Sequence, residues 1–395
     1  MPGFRPNKVL GWIVPGLMIS FITFGSRLVF KELCPFIIHF LEMKLLGRIY
    51  QATFTIAFTL TVALYLWILF QPRTHSSPPK QIPEAIKQKL IVYETSDSSG
   101  TPSICNICQG RLRPLRSRHC LDCGTCKTGF DHHCVWFAHC ITSTTTLKPF
   151  IQILVLAPMV ILLGAVPAMP IIRWQLKEVV RLTWSEGPSG EFLRTIWWSR
   201  WWGWAGGPGW RYAGGVGLGY WHYHWIRSQY EPGSQTDEID MEFKSLRQPT
   251  LSLLILLAFA VLVSLVALLM LMTIIRDTVF RGRNTIDIER SRRWTSRGDH
   301  TSTSWDPRVK LWIPDESSVG QGKVVRIDPE EDVFNNGPTQ NWQDLMGAQI
   351  WEWFVPWMTS SPSNTPGCEG IEWRISSEWM HKLRARETLE SPISI

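Results

Sequence analysis

The sequence predicts an α-helical integral membrane protein with four transmembrane helices and a small cytoplasmic cysteine-rich domain that holds two zinc ions. Two observations support this prediction. The chain has 395 residues, 45% hydrophobic and 18% charged, and the apolar residues gather in four long runs. Seven of the nine cysteines fall between Cys105 and Cys140. This distribution excludes a purely soluble protein and a disordered chain.

Four apolar runs each approach the length of about 20 residues that a helix needs to cross a bilayer. In chain order they are residues 9–24, 51–70, 150–172 and 251–275. The first run is the weakest, because it is short and Pro15 and Gly16 interrupt it. A signal peptide is the alternative there, but no small-residue cleavage site follows before Arg27. A spanning helix is therefore the preferred interpretation.

The distribution of Lys and Arg predicts the orientation. Segments 71–148 and 276–297 are rich in these residues, so the positive-inside rule places both in the cytoplasm together with both termini. The connection 173–249 would be lumenal; it is also basic, but long loops translocate largely regardless of charge. The weak net charge of +7 fits loops beside anionic lipid and predicts no nucleic-acid partner. The predicted division of the chain is helices 1 and 2 in 1–70, the cysteine-rich domain in 71–148, helices 3 and 4 in 149–275, and a cytoplasmic tail in 276–395.

The cysteine cluster predicts zinc binding. A reducing cytoplasm argues against disulfides, and a Cys-x2-Cys pair such as Cys105 and Cys108 supplies two ligands to a tetrahedral zinc from one turn. The seven cysteines and His119, His132 and His133 make ten candidate ligands, and two closed sites need eight. Two of these candidates therefore remain for chemistry. From spacing alone a purely structural zinc module stays an alternative, since closed sites are usually structural.

The segment 105–150 carries a longer pattern than zinc ligands alone. It reads PLRSRHC at 114–120, then Cys123 and Cys126, the tetrad Asp131-His132-His133-Cys134, and finally Trp136 and Cys140. This pattern resembles the cysteine-rich domain of the DHHC protein S-acyltransferases, or palmitoyltransferases, and lies between the second and third of four spans, as in that family. The segment 334–347 is similar to a C-terminal segment of many fungal members, which indicates a divergent fungal member.

The resemblance implies an assignment for each ligand. One zinc would be held by Cys105, Cys108, His119 and Cys126. The other would be held by Cys120, Cys123, His133 and Cys140.

The resemblance also implies the reaction. Cys134 would attack a fatty acyl-CoA such as palmitoyl-CoA, and then pass the acyl chain to cytoplasmic cysteines of membrane-associated proteins. His132 would act as general base and Asp131 would orient it. The acyl chain would lie in an apolar cavity among the helices. Arg111, Arg113, Arg116 and Lys127 are candidate contacts for the CoA phosphates or ordinary solvated charges. The expected location is an endomembrane, either the endoplasmic reticulum or the Golgi.

Several positions depart from the family pattern. Val135 replaces a proline, Ala138 and His139 replace two asparagines, and residues 143–146 replace a Gly-x-x-Asn segment. These departures leave open a catalytically inactive zinc-finger membrane scaffold. A membrane-tethered zinc module of the ubiquitin-ligase type is a further alternative, but it does not account for four spans.

Two other segments have open interpretations. Residues 282–287 resemble the family motif Thr-Thr-x-Glu, with Asn284 and Asp287 in the outer positions, although a frame ending at Glu289 also fits. The motif would dock the tail on the catalytic domain; the alternative is a basic tether to lipid. The connection 173–249 is rich in Trp and Gly, and we expect an interfacial or re-entrant element without a regular helix. A lumenal partner site and a gene-model artefact such as a retained intron remain alternatives there.

Overall fold

The computed structural model describes residues 6–74, 76–228, 246, 248–296, 308–316, 318–358, 368 and 371–386. In chain order its α-helices are α1 (Pro6–Arg27), α2 (Lys44–Leu69), α3 (Glu84–Lys87), α4 (Leu147–Trp184), α5 (Pro188–Leu193), α6 (Gly207–Ser228), α7 (Leu251–Ile274), α8 (Thr285–Ser296), α9 (Pro338–Met346) and α10 (Ser377–Ala385). Its strands are β1 (Tyr93–Glu94), β2 (Ile104–Cys105), β3 (Arg111–Leu112), β4 (Arg118–Cys120), β5 (Thr125–Lys127), β6 (Phe130–Cys134), β7 (His139–Thr142), β8 (Val309–Pro314) and β9 (Gly322–Ile327).

Among the described residues, four helical stretches are long and apolar enough to cross a membrane. They are Gly11–Phe40, Lys44–Leu69, Leu147–Trp184 and Leu251–Phe280. The prediction of a helical membrane protein with four spans is confirmed. The helices extend past the apolar runs: α1 continues through π-helical turns to Phe40, and α4 passes Ile172 and ends at Trp184.

Helix α4 is continuous although it contains Pro158, Pro167 and Pro170. A proline removes one backbone hydrogen bond, and spanning helices tolerate that loss because neighbouring groups satisfy the freed carbonyl. The prolines therefore do not end the third span.

The chain divides into two compact units: residues 1–16, 62–155 and 268–395 form the first, and residues 17–61 and 156–267 form the second. The core of the second unit joins the helices through two buried clusters, one around Leu33, Ile172 and Leu253 and one around Val29 and Phe54. These side chains come from different apolar runs, so burying them packs the runs together.

The first unit contains the cysteine-rich segment and the described part of the tail. A three-stranded antiparallel sheet has the order β1-β8-β9, so the tail hairpin pairs with a strand that precedes the cysteines. Alternation in β8 and β9 buries Leu311, Ile313 and Val325 against Leu383 of α10. The tail is thus a folded part of this unit. Helix α10 begins where the Ser376 side chain accepts a hydrogen bond from the Trp379 amide.

Candidate active site and zinc centres

Three antiparallel hairpins, β2-β3, β4-β5 and β6-β7, carry the cysteine-rich segment. The turn that joins β4 to β5 contains Gly124 at a φ of 68°. A left-handed residue suits glycine, and this tight turn lies between Cys123 and Cys126, which belong to different ligand groups. The hairpins are short, and the ligand side chains lie at or beside their turns.

The first ligand group brings together the side chains of Cys105, Cys108, His119 and Cys126. The Nδ1 atom of His119 lies 3.8 Å from the Cys105 sulfur, 3.1 Å from that of Cys108 and 3.9 Å from that of Cys126. Cys126 is fully buried.

The second group contains Cys120, Cys123, His133 and Cys140. The His133 Nδ1 atom lies 3.5 Å from the sulfurs of Cys120 and Cys123, and 3.6 Å from that of Cys140. In both groups all ligand atoms lie within 4.8 Å of one another.

These distances fit zinc. A tetrahedral ion bonded to sulfur at about 2.3 Å and to nitrogen at about 2.0 Å sets its ligand atoms roughly 3.5–3.8 Å apart. Both histidines present Nδ1, which the sequence does not indicate. The two groups are compatible with two zinc ions in this domain, and three thiolates with one imidazole form a donor set typical of structural zinc.

The alternation of β-strands explains why neighbouring residues enter different groups. Successive side chains of a strand point to opposite faces. His119 lies opposite Cys126 across the hairpin, within the first group, whereas the adjacent Cys120 belongs to the second. Likewise His133 lies opposite Cys140.

The same alternation separates His133 from its neighbours in the tetrad. His132 and Cys134 are two residues apart in β6, so they share the other face of the strand. The register shifts between Phe130 and His132, which makes Asp131 the extra residue of a bulge. A bulge re-aims a side chain, and here the carboxylate turns toward the His132 ring.

The Asp131–His132 pair has the geometry of an orienting carboxylate and a base. Oδ2 of Asp131 lies 2.8 Å from Nδ1 of His132, and Oδ1 accepts a hydrogen bond of 2.7 Å from the Thr285 hydroxyl. Burial opposes ionisation of Asp131, but the hydrogen bonds from His132 and Thr285 outweigh it and lower its pKa. Burial also favours neutral His132, yet the Asp131 hydrogen bond and the Cys134 sulfur raise the pKa of His132 to about 9.

Asp131, His132 and Cys134 lie outside both ligand groups. Of these three, Cys134 carries the thiol that can act as a nucleophile, and it is 3% exposed. The His132 Nε2 atom is buried and makes no hydrogen bond of normal geometry among the described residues. With Nδ1 held by Asp131, Nε2 is the nitrogen left to exchange a proton with a thiol. The ring of His132 packs edge-on against Phe150, with centroids 5.6 Å apart, which fixes its plane.

The departures from the family pattern are accommodated by other hydrogen bonds. His139 is buried rather than exposed, and its ring nitrogens contact the carbonyl oxygens of Cys140 and Pro72 at 2.9 and 3.4 Å. It lies in neither ligand group. The Thr146 hydroxyl accepts a hydrogen bond of 2.8 Å from the Thr142 amide, and this bond stabilises the loop before α4.

Two basic residues predicted as CoA contacts or solvated charges are buried instead. Lys127 is fully buried and donates a hydrogen bond of 2.5 Å to the Arg73 carbonyl. Arg116 lies between the rings of Phe334 and Trp373, with its guanidinium carbon 4.1 and 5.0 Å from the ring centroids. For these two residues the prediction is wrong, because their charged groups are buried and contact other groups of the protein.

The tail motif at 282–287 lies against the cysteine-rich hairpins. The Asp287 amide donates a hydrogen bond of 3.0 Å to Oδ1 of Asn284, and the Asn284 amide donates one of 3.1 Å to Oδ2 of Asp287; this reciprocal pair begins α8. Asp287 also forms an ion pair of 2.6 Å with Arg116. Two further ion pairs join α8 to the domain: Glu289 with Arg118, and Arg290 with Glu94. These contacts agree with docking of the tail on the domain. Arg290, a basic residue that the lipid-tether alternative would place against lipid, is paired with Glu94 instead.

Sequence reasoning missed the contribution of Thr285 and the burial of Arg116. The pattern Pro-x-Arg marks Arg116, but nothing local shows that its partner lies in α8. Thr285 is an inner position of the 282–287 motif, and that motif is the local signal that could have pointed to its hydroxyl.

Comparison with known proteins gives one family. Residues 98–186 match the family model described as DHHC palmitoyltransferase. The chain is similar to palmitoyltransferase ZDHHC15 of Xenopus laevis, with 30% identity over 34% of this chain and 44% of that protein. It is also similar to palmitoyltransferase ZDHHC4 of Mus musculus (32% identity; 28% of this chain, 33% of that protein) and to palmitoyltransferase PFA3 of Saccharomyces cerevisiae (33%; 25% and 33%). The matches span less than half the length of each relative.

Proposed function

Because residues 98–186 match the model of the DHHC palmitoyltransferase family, we propose that this protein is a protein S-acyltransferase that uses Cys134 as its nucleophile. The observation that carries the proposal is the Asp131–His132 hydrogen bond beside a buried cysteine that neither ligand group needs. Cysteine, base and orienting carboxylate together form an activated-nucleophile arrangement.

In the first step the thiolate of Cys134 attacks the carbonyl carbon of a fatty acyl-CoA thioester. A carbon–sulfur bond forms to Cys134 and the carbon–sulfur bond to CoA breaks. His132 takes the proton of the Cys134 thiol and returns it to the departing CoA sulfur. Asp131 holds the Nδ1 proton and stabilises the imidazolium, which agrees with the raised pKa of His132.

In the second step His132 removes a proton from a cysteine of the protein substrate. That thiolate attacks the acyl carbon on Cys134, and Cys134 leaves and recovers the proton. No oxidant or reductant is needed. The substrates are membrane-associated proteins with cytoplasmic cysteines, and the donor is palmitoyl-CoA or a similar fatty acyl-CoA.

The eight ligand residues would hold two zinc ions, one in each group, and the metal would supply rigidity by cross-linking the three hairpins. Rigid hairpins keep His132 and Cys134 on one face of β6. The bilayer supplies the apolar medium for the acyl chain.

The topology is part of the proposal. Segments 71–148 and 276–395 would face the cytoplasm with both termini, the connection after α4 would face the lumen, and the host would be the endoplasmic reticulum or the Golgi. The Lys and Arg residues of segments 71–148 and 276–297 support this orientation.

A zinc-dependent scaffold without turnover is the second candidate. The substituted turn after Cys134 favours it: Ala138 has a φ of 48°, a conformation that costs energy for alanine. The intact Asp131–His132 pair argues for the enzyme.

The deciding experiment uses detergent-purified wild type and Cys134→Ser, incubated with labelled palmitoyl-CoA. We expect a hydroxylamine-labile label on wild type only, with about two zinc per chain in both proteins. Absence of label on folded, zinc-loaded wild type would favour the scaffold.

A further inference from the structure

Residues 173–228 form a folded element, here called the Trp-rich cap. It consists of the end of α4, α5, the π-helical turn Arg194–Trp198, the 3-10 turn Trp201–Trp204 and α6. Its own small core buries Val179, Leu193 and Tyr220, each at most 1% exposed. The expectation that glycine prevents a regular helix here is wrong, because α6 spans 22 residues.

Three glycines of α6 lie where side chains of neighbouring elements pack against the helix. A Cβ at Gly214 would overlap the Trp197 ring, one at Gly215 would overlap the Trp198 ring, and one at Gly219 would overlap Val179 of α4. At these three positions the close packing that glycine permits offsets its low helix propensity. At Gly207, Gly209 and Gly217 of the same helix, a Cβ would meet no other atom within 4 Å.

Hydrogen bonds of indole nitrogens also fix the cap. Trp197 donates to the Arg211 carbonyl at 2.8 Å, Trp202 donates to the Ile196 carbonyl at 3.0 Å, and Trp210 donates to the Trp202 carbonyl at 3.0 Å. These bonds join the two turns to one another and to α6.

The outer surface of the cap is aromatic. Trp201 is 76% exposed, Trp204 54% and Trp221 55%. The guanidinium of Arg211 lies over the Trp204 ring at 3.9 Å. Large exposed apolar patches rimmed by polar groups mark interaction surfaces. Exposed indoles with accompanying arginines are the composition that prefers the headgroup layer of a bilayer.

Helix α4 brings this surface to the edge of a membrane. Its 38 residues extend about 57 Å at 1.5 Å per residue, whereas the hydrocarbon layer is about 30 Å thick. Arg173, Lys177 and Arg181 begin directly after the uncharged run, so the last turns of α4 lie outside the hydrocarbon. Exposed apolar side chains continue along α4 from Val166 and Met169 to Trp184, and after residue 172 they alternate with these exposed basic residues.

We propose that the Trp-rich cap is a membrane-interface anchor, with the indoles of Trp201, Trp204 and Trp221 in the phospholipid headgroup layer on the side where α4 ends. The anchor lies along the surface and does not re-enter the hydrocarbon. Helix α6 carries Arg211 and is not among the described helices apolar enough to span. The occupant of the aromatic surface is lipid, because its exposed indoles stand beside arginine and belong to the same folded element as the end of a spanning helix. This inference does not depend on catalysis.

The test uses the full-length protein in phosphatidylcholine nanodiscs that contain a phospholipid with a photoreactive group near the glycerol. After irradiation, labelled peptides are mapped by mass spectrometry, with the α4 segment 155–166 as internal standard. We expect label on the peptides that contain Trp201–Trp204 and Trp221.

Two matched variants identify the anchoring groups. Trp201→Ser with Trp204→Ser should reduce the cap label about fivefold relative to segment 155–166, because serine lacks the interfacial preference of an indole. Trp201→Tyr with Trp204→Tyr should retain it within about twofold, since tyrosine shares that preference. The proposal is wrong if wild-type cap peptides stay unlabelled while the spans are labelled, which would assign the surface to a protein partner. Equal cap label in the serine variant and wild type would also overturn it.

Discussion

The Thr285 hydroxyl donates a hydrogen bond of 2.7 Å to Oδ1 of Asp131, across a separation of 154 residues in sequence. The other carboxylate oxygen of Asp131 binds His132. One residue of the tail therefore shares a carboxylate with the predicted base. This relationship makes the tail part of the candidate active site.

We predict that Thr285→Ala slows autoacylation about three- to tenfold. A hydrogen bond to a charged group contributes about 1.5 kcal/mol, which is about tenfold in rate if the whole contribution is lost from the transition state and less if only part of it is lost. Thr285→Ser keeps the hydroxyl and should restore most of the rate. Single-turnover acylation with palmitoyl-CoA measures the effect, and the KM for palmitoyl-CoA should stay unchanged because Thr285 orients a side chain and binds no substrate. A rise in KM with an unchanged rate constant would contradict the positioning role.

We predict that breaking the buried ion pair of Arg116 and Asp287 lowers the free energy of unfolding far more than breaking the neighbouring surface pair of Arg118 and Glu289. The Arg116 and Asp287 side chains are 8% and 16% exposed, and Arg116→Met leaves the carboxylate unpaired. Such a loss costs about 3–5 kcal/mol. Arg118→Met breaks the pair with Glu289, whose partners are 46% and 33% exposed, and should cost less than about 1 kcal/mol.

Unfolding of the two arginine variants in detergent, followed by tryptophan fluorescence, makes the comparison. Equal shifts in the unfolding midpoint for Arg116→Met and Arg118→Met would show that α8 is not held by the buried pair.

We predict that Cys120→Ala removes one zinc equivalent and destabilises the cysteine-rich domain. Cys120 is 5% exposed and belongs to the second ligand group; three remaining ligands cannot close a structural site. The matched control is Cys368→Ser, a cysteine 1% exposed that lies in neither group. Metal analysis of purified protein should give about one zinc for Cys120→Ala and two for the control. Full zinc content in Cys120→Ala would refute the ligand assignment.

We predict that Ala138→Gly stabilises the domain by about 0.5–1 kcal/mol, because Ala138 has a φ of 48° and glycine adopts this conformation without a Cβ clash. The control is Ala85→Gly in α3, where glycine should destabilise by up to about 1 kcal/mol. Thermal melting of both variants tests the difference in sign. A lower melting temperature for Ala138→Gly would mean that the alanine methyl group contributes more through packing than it costs through strain.

The amino-acid sequence was sufficient for the features that depend on local composition and spacing. Uncharged runs near the length of a bilayer predicted four spans, because the hydrocarbon layer sets that length. The cysteine spacing predicted two zinc groups, since a tight turn delivers two thiolates to one ion. The tetrad Asp131-His132-His133-Cys134 indicated the reaction through its resemblance to a family.

Tertiary structure decided which faces those residues share. His132 and Cys134 lie on one face of β6 and His133 on the other, and the bulge at Asp131 returns its carboxylate to His132. A bulge depends on the pairing of two strands, which no local pattern specifies.

The contacts of Asp131 with Thr285 and of Arg116 with Asp287 join segments more than 150 residues apart. Gly214 and Gly215 of the Trp-rich cap likewise acquire a role only beside Trp197 and Trp198. The sequence by itself identified the reactive and metal-binding side chains of this protein. Long-range packing decided which of those side chains contact one another, because partners from distant segments meet only when the chain is folded.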